Sequence, residues 1–195
     1  MFVMEIELHI EELETERRWN RAQWFESAKL DGVLGRFISL RDDDMFVWLR
    51  GFRGPLPDQS FVKRSMKRNL APAAGSAITE LRDFVRIAES AILEIRQYRI
   101  VPGMRGRFAT FLHDRTLEAH VRLGMPIYGQ FDDLDDENVF VFLRGFPSLV
   151  ERDRRKAEFY QGAYWLNELQ DEAFSMIEDY SNVLLVTPLN GAARA

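Results

Sequence analysis

The chain has no cysteine, so disulfides, thiolate metal ligands and cysteine nucleophiles are excluded from the start. It also lacks any run of about 18 apolar residues, the length a membrane-crossing helix needs. The opening "MFVMEIELHIEEL" has no basic stretch leading into an apolar core and a small-residue cleavage site. No secretory signal and no membrane partner are therefore expected, and the cytoplasm is the expected compartment. Histidine is scarce, at three residues, with no H-E-x-x-H pair, so a histidine-based zinc site has no local signature and no metal ligands are assigned. No Walker motif, G-x-S-x-G or G-x-G-x-x-G is present, which leaves nucleotide-driven and serine-hydrolase chemistry without support. Basic charge is also short: the formal net charge of −5 argues against a nucleic-acid partner, whose affinity comes chiefly from neutralised phosphates.

What the sequence does contain is a repeat. "GRFISLRDDDMFVWLRGF" from Gly35 and "GQFDDLDDENVFVFLRGF" from Gly129 agree without a gap at ten of eighteen positions. Each half reads as strand, acidic turn, strand, which is a β-hairpin. The turn "DDLDDEN" superficially suggests a calcium loop but lacks the glycine and distal glutamate such a loop needs. Upstream, "MEIELHI" (4–10) and "LEIRQYRI" (93–100) alternate apolar and polar residues with period two, so each copy opens with a half-buried strand. Between opening strand and hairpin, apolar residues recur at helical spacing, clearest at Phe108, Leu112, Leu117 and Val121. After the second hairpin come a long helical stretch from Ser148 and then "SNVLLVTPL", a strand ended by Pro188. The first copy is more degenerate there, with "SFVKRSMKRN", a linker-like "LAPAAGSA", a short helix and "FVRIAES".

Strand, helix, strand, strand, helix, strand, given twice, predicts an α+β protein of two tandem ferredoxin-like (βαββαβ) repeats forming a pseudo-dimeric α/β barrel. The expected units are residues 1–90 and 91–195. A homodimer is a further option.

Within each hairpin's second strand, Phe46, Trp48, Arg50 and Phe52 share one face, as do Phe140, Phe142, Arg144 and Phe146. The opening strands set Glu5, Glu7 and His9, or Glu94, Arg96 and Tyr98, opposite an aliphatic face. The expectation is that the aliphatic faces meet the helices and the aromatic, charged faces look into a space between the sheets, joined by Tyr128 and Gln130. A small oxygenated or aromatic ligand would sit there. Arg50 or Arg144 would hold its oxygen, because a guanidinium fork suits a carboxylate or enolate. Trp48 and Phe142 would stack on it, with Arg96, Glu94, Tyr128 and Gln130 lining the pocket. His9 or Tyr98 would move a proton. The structural alternative pairs the arginines with Glu5, Glu7 and Glu94 and leaves a non-catalytic binding or scaffold protein.

Three further features have bland readings. His113 and His120, seven apart on the predicted helix and roughly on one face, read as solvated or capping residues. "KRSMKR" (63–68) and "RDRRK" (152–156) read as solvated helix faces or oligomer contacts. "FYQGAYW" (159–165) reads as an aromatic turn that closes the core or roofs the pocket.

"EIRQYRIVPGMRGRF", "GMPIYGQFDDLDDENVFVFLRGFPSL", "FYQGAYW" and "DYSNVLLVTPL" resemble the NIPSNAP family of the dimeric α/β-barrel superfamily. The resemblance covers most of residues 92–189; residues 1–91 share only the hairpin. It implies the ferredoxin-like pair. For activity, it implies the superfamily's range: a cofactor-independent monooxygenase, isomerase or cyclase-like proton transfer, with haem binding through a single histidine as the alternative.

Overall fold

A computed structural model of the chain describes residues 2–10, 33–41, 45–53, 65–80, 82, 83, 87 and 90–189. The first copy's expected helix, within 11–32, and most of the "FVRIAES" stretch lie outside the described residues.

The first half supplies β1 (Phe2–Ile10), β2 (Val33–Ser39), β3 (Met45–Arg53) and β4 (Ser65–Pro72). The second half opens with β5 (Ile92–Ile100). One helical stretch follows, made of α1 (Arg105–Phe111), a π-helical turn (Leu112–Thr116) and α2 (Leu117–Arg122). The hairpin β6 (Ile127–Asp133) and β7 (Val139–Phe146) comes next, then α3 (Leu149–Tyr160). A second π-helical turn (Trp165–Leu169) leads into α4 (Gln170–Met176), short β8 (Ile177–Asp179) and β9 (Val183–Pro188).

Each half forms a four-stranded antiparallel sheet, in order β4-β1-β3-β2 and β9-β5-β7-β6. This is the ferredoxin-like order written twice. β4 then pairs with β6 and β2 with β9, so eight strands close into a ring, with β8 appended to β5. The chain is thus α+β, two ferredoxin-like repeats closed as a pseudo-dimeric α/β barrel. Closure removes the free sheet edges that each half would otherwise expose. The repeat persists into register: Glu5 pairs with Arg50, Glu7 with Trp48 and His9 with Phe46, as Glu94 pairs with Arg144, Arg96 with Phe142 and Tyr98 with Phe140.

The faces are the reverse of the expectation. The aliphatic sides meet inside the barrel, where Ile6, Val47, Leu49 and Leu70 of the first sheet pack with Leu93, Ile95, Val141, Leu143 and Val186 of the second. The aromatic side of the second sheet, with Tyr98, Phe140, Phe142 and Phe146, packs outward against Phe108, Phe111, Leu112, Phe159, Trp165 and Leu169 of the helices. The physical reason is room. Two facing sheets stand only about 10 Å apart, a gap branched aliphatic chains fill, whereas rings and long guanidinium chains need the deeper layer beneath helices. Gly145 of "LRGF" shows how tight the interior is, since a Cβ there would run into Ser90 and Tyr128.

Two further expectations change. "KRSMKR" does not make a helix face: Lys67 and Arg68 belong to β4, while Lys63 and Arg64 lie outside the described residues. Arg68 instead ties the halves together, donating to Gln97 Oε1 at 2.5 Å and to Asp133 Oδ2 at 2.7 Å. In "RDRRK", Arg154 does face solvent, paired with Glu151 and Glu158, but Arg152 turns inward and is buried. The acidic stretch makes the β6–β7 turn, with Asp133 Oδ1 accepting from the Asp135 and Asp136 amides.

Candidate functional site

A cavity of about 340 Å³ lies between the outer face of the second sheet and its helices. β5 contributes Arg96 and Tyr98, and β7 contributes Phe142. The first helical stretch adds Phe108, Phe111, Leu112, Thr116 and His120. Lys156, Phe159 and Tyr160 come from α3, Trp165 and Gln170 from the segment beyond it, and Phe174 and Tyr180 complete the wall. On α3 the sequence explains the placement: Arg152, Lys156, Phe159 and Tyr160 stand at i, i+4, i+7 and i+8, a single helix face. Ser148 starts that helix, its Oγ accepting from the Glu151 amide at 3.1 Å, as an S-x-x-E cap should. Both π-helical turns border the cavity, a recurrent position for such turns near functional sites.

Beneath the cavity floor lies a buried charge cluster centred on Glu94, which is fully buried. Arg144 donates to Glu94 Oε2 through Nε at 2.8 Å and through Nη2. Arg152 donates to Oε1 through Nε at 3.0 Å and Nη2 at 2.6 Å. Arg96 Nη1 stands 3.4 Å and Lys156 Nζ 3.7 Å from Oε1. Burial pushes the Glu94 carboxyl up, but the Arg144, Arg96 and Arg152 charges outweigh it and hold the group far below the usual carboxylate range. Burial also lowers Lys156, as do the neighbouring guanidiniums, against the pull of Glu94.

Arg144 Nη1 is engaged too, pointing to His120 Nε2 at 3.2 Å and to Tyr160 Oη at 3.3 Å. His120 Nδ1 donates to the Thr116 carbonyl at 2.9 Å, so its Nε2 is the acceptor for Arg144. Burial, then the Arg144 charge, pushes the His120 pKa down to about 3, and the ring is neutral. For Tyr160, burial raises the phenol, but Arg144 and Arg96 more than offset that and the net shift is downward. Tyr98 goes the other way, raised by burial.

The expected site residues are thus divided among separate places. Arg96, Tyr98 and Phe142 line the cavity, and Glu94 and Arg144 support it from below. Arg50 and Trp48 are buried on the outer face of the first sheet, where Trp48 clusters with Phe46, Ile38 and Leu189 and Arg50 Cζ lies 5.3 Å from the Phe52 ring centroid. The two arginines therefore do not share one inter-sheet pocket. The His9 side chain lies outside the described residues. Tyr128 packs on the barrel interior and bonds Ser90 at 2.5 Å. Gln130 bonds the Ala74 carbonyl and borders a separate small pocket with His113. His113 and His120 do not share a face: His113 is exposed and pairs with Asp114, whereas His120 is buried. The π-helical turn between them inserts an extra residue, which rotates the helix register. Sequence reasoning missed His120, Arg152, Lys156, Tyr160 and Trp165 as a group. The available signal was the i, i+4, i+7, i+8 pattern on α3, hidden inside a run that looks uniformly charged.

No protein-family model and no curated protein matches the chain. Solved structures do. An anthrone oxidase-like protein superposes with a TM-score of 0.64 at 7% identity, over 96% of this chain and 91% of that one. A Lactobacillus acidophilus protein provisionally assigned as a monooxygenase gives 0.60 at 10% identity, over 96% and 94%. The neighbours also include a NIPSNAP domain protein from Burkholderia xenovorans, with a TM-score of 0.46 at 18% identity over 53% of this chain and 97% of that one. The shared fold is the dimeric α/β barrel. Haem does not fit the residues of the cavity: its histidine, His120, has both ring nitrogens engaged, and His113 lies off the cavity wall. No helix among the described residues is long and apolar enough to cross a membrane.

Proposed function

We propose that the chain is an enzyme that binds a small oxygenated or aromatic molecule in the cavity of its second repeat and transforms it by proton transfer. The observation that carries this reading is the cavity itself: an aromatic-walled space of a ligand's size whose floor carries a phenol acidified by a guanidinium, Tyr160 Oη lying 3.3 Å from Arg144 Nη1.

The chemistry follows from the environment. Arg144 favours the Tyr160 phenolate, which takes a proton from an acidic C–H or O–H of the ligand to become the phenol and then returns that proton at another position. Return to a different atom is an isomerisation; addition of dioxygen to the carbanion gives, once protonated, a hydroperoxide, and its loss of water breaks the O–O bond and leaves one oxygen on the ligand as a carbonyl, the monooxygenase outcome. Tyr160 replaces Tyr98 as the proton carrier, because burial holds Tyr98 neutral. Arg144 acts as a positioning residue through Tyr160 and His120, its bonds to Glu94 keeping it from moving onto a ligand.

The test is solvent exchange. In D2O, with NMR detection, the protein is expected to speed deuterium uptake into enolisable or phenolic aromatic ligands that it binds. Tyr160→Phe should slow it by roughly 10²–10⁴-fold without loss of fold. Bound ligands that exchange no faster than in buffer, or a Tyr160→Phe variant as fast as wild type, would overturn the reading and favour a non-catalytic binding protein.

A further inference from the structure

The cluster under the cavity does not balance. Arg144 and Arg152 share Glu94 between them, one on each oxygen. Arg152 has an additional partner in Asp153 at 2.7 Å, on the exposed side of α3. Arg96 and Lys156 are left with the margins of the same carboxylate, at 3.4 and 3.7 Å. The Arg96 side chain is 7% exposed, and its Nε and Nη1 are buried with no hydrogen-bond partner. It is flanked instead by rings, its Cζ lying 5.0 Å from the Tyr98 centroid and 5.8 Å from that of Phe142. His120 adds no positive charge, being neutral, and it adds no negative charge either.

A buried guanidinium with unbonded donors costs free energy unless an anion or acceptor completes it. Arg96 and Lys156 both line the cavity, so an anionic ligand there meets both cations. The other walls are Phe108, Phe111, Phe142 and Trp165, which suit a flat apolar body. We infer that the cavity takes a small aryl carboxylate, its carboxylate seated on Arg96 and Lys156 and its ring held among these aromatic side chains. This rests on the reading of the cavity as a small-molecule site, and it names the charge and shape of what enters.

The experiment pairs acids with their neutral amides: benzoate, 2-naphthoate and 2-anthroate against benzamide, 2-naphthamide and 2-anthramide. Binding to the intact protein is followed by calorimetry and by quenching of tryptophan fluorescence. At least one acid is expected to bind more tightly than its amide by roughly tenfold to a hundredfold, the worth of charge-assisted hydrogen bonds. Arg96→Met should remove that preference while leaving amide binding and thermal stability in place, and Lys156→Met should reduce it in part. Three results would overturn the inference: no acid binding at millimolar concentration, amides binding as well as acids, or an unchanged preference in Arg96→Met. Amides binding as well as acids would leave the cavity a small-molecule site and remove only its preference for anions. Acid binding with no solvent exchange in any ligand would leave the carboxylate seat standing and remove the enzyme.

Discussion

Glu94→Gln is the most informative single change, because it keeps the side chain's shape and deletes the buried negative charge at the centre of a cluster of four cations. In the wild type, the carboxylate accepts four hydrogen bonds, two from Arg144 on Oε2 and two from Arg152 on Oε1, with Arg96 and Lys156 nearby. A glutamine can accept on one oxygen only. Its amide group must face the other guanidinium, donor against donor, so one arginine loses both bonds while buried. Removing one partner of a buried ion pair typically costs about 3–5 kcal/mol, a large part of the 5–15 kcal/mol that holds a domain folded. At roughly 2–4 °C per kcal/mol for a chain of this size, the melting temperature should fall by about 6–20 °C in circular dichroism at pH 7. Adding Arg96→Met to that variant should recover part of the loss, since it withdraws one of the unbalanced cations, with a coupling of about 0.5–3 kcal/mol. A Glu94→Gln protein that melts within about 2 °C of wild type, well under the fall such a pair's loss implies, would refute the claim that this carboxylate holds the cluster together.

Acid should weaken the fold partly through His120. Unfolded, its imidazole titrates near its ordinary 6.5; folded, burial and Arg144 lower it to about 3. Between those values the unfolded chain holds the extra proton, so stability is complete above 6.5 and falls as pH drops, by up to about 1.4 kcal/mol per pH unit. Urea titrations at pH 5.5 and 7.5 should show the difference shrinking in His120→Leu; an equal difference in both proteins would place the titration elsewhere. Gly145→Ala should destabilise by about 1–3 kcal/mol through overpacking, because its Cβ meets Ser90 and Tyr128, and denaturant midpoints would show no change if the interior can yield there.

Much of the architecture was legible in the sequence because it rests on local signals. Period-two alternation marked β1 and β5, the paired acidic turns marked both hairpins, and the shared "LRGF" marked the duplication that register then repeats strand by strand. The faces were not legible. Alternation records that Arg144 and Phe142 stand on one side of β7 and Leu143 on the other, but not which side a second sheet will cover. Nor does composition separate Arg152 from Arg154, since only the docking of α3 turns one toward Glu94 and the other toward water. By itself, then, the sequence determined the opening strands, the hairpins, the last strand and the residues that travel together, while β4 lay in a stretch that read as a helix face and a linker. Tertiary structure decided the rest: which layer each face meets, and that Arg96, Lys156, Tyr160 and His120 converge on one cavity while Arg50 lies apart. Closing two sheets into a barrel leaves a gap narrow enough to select aliphatic side chains, and the long cations and rings go to the helix-covered side, where there is space for them and for a ligand.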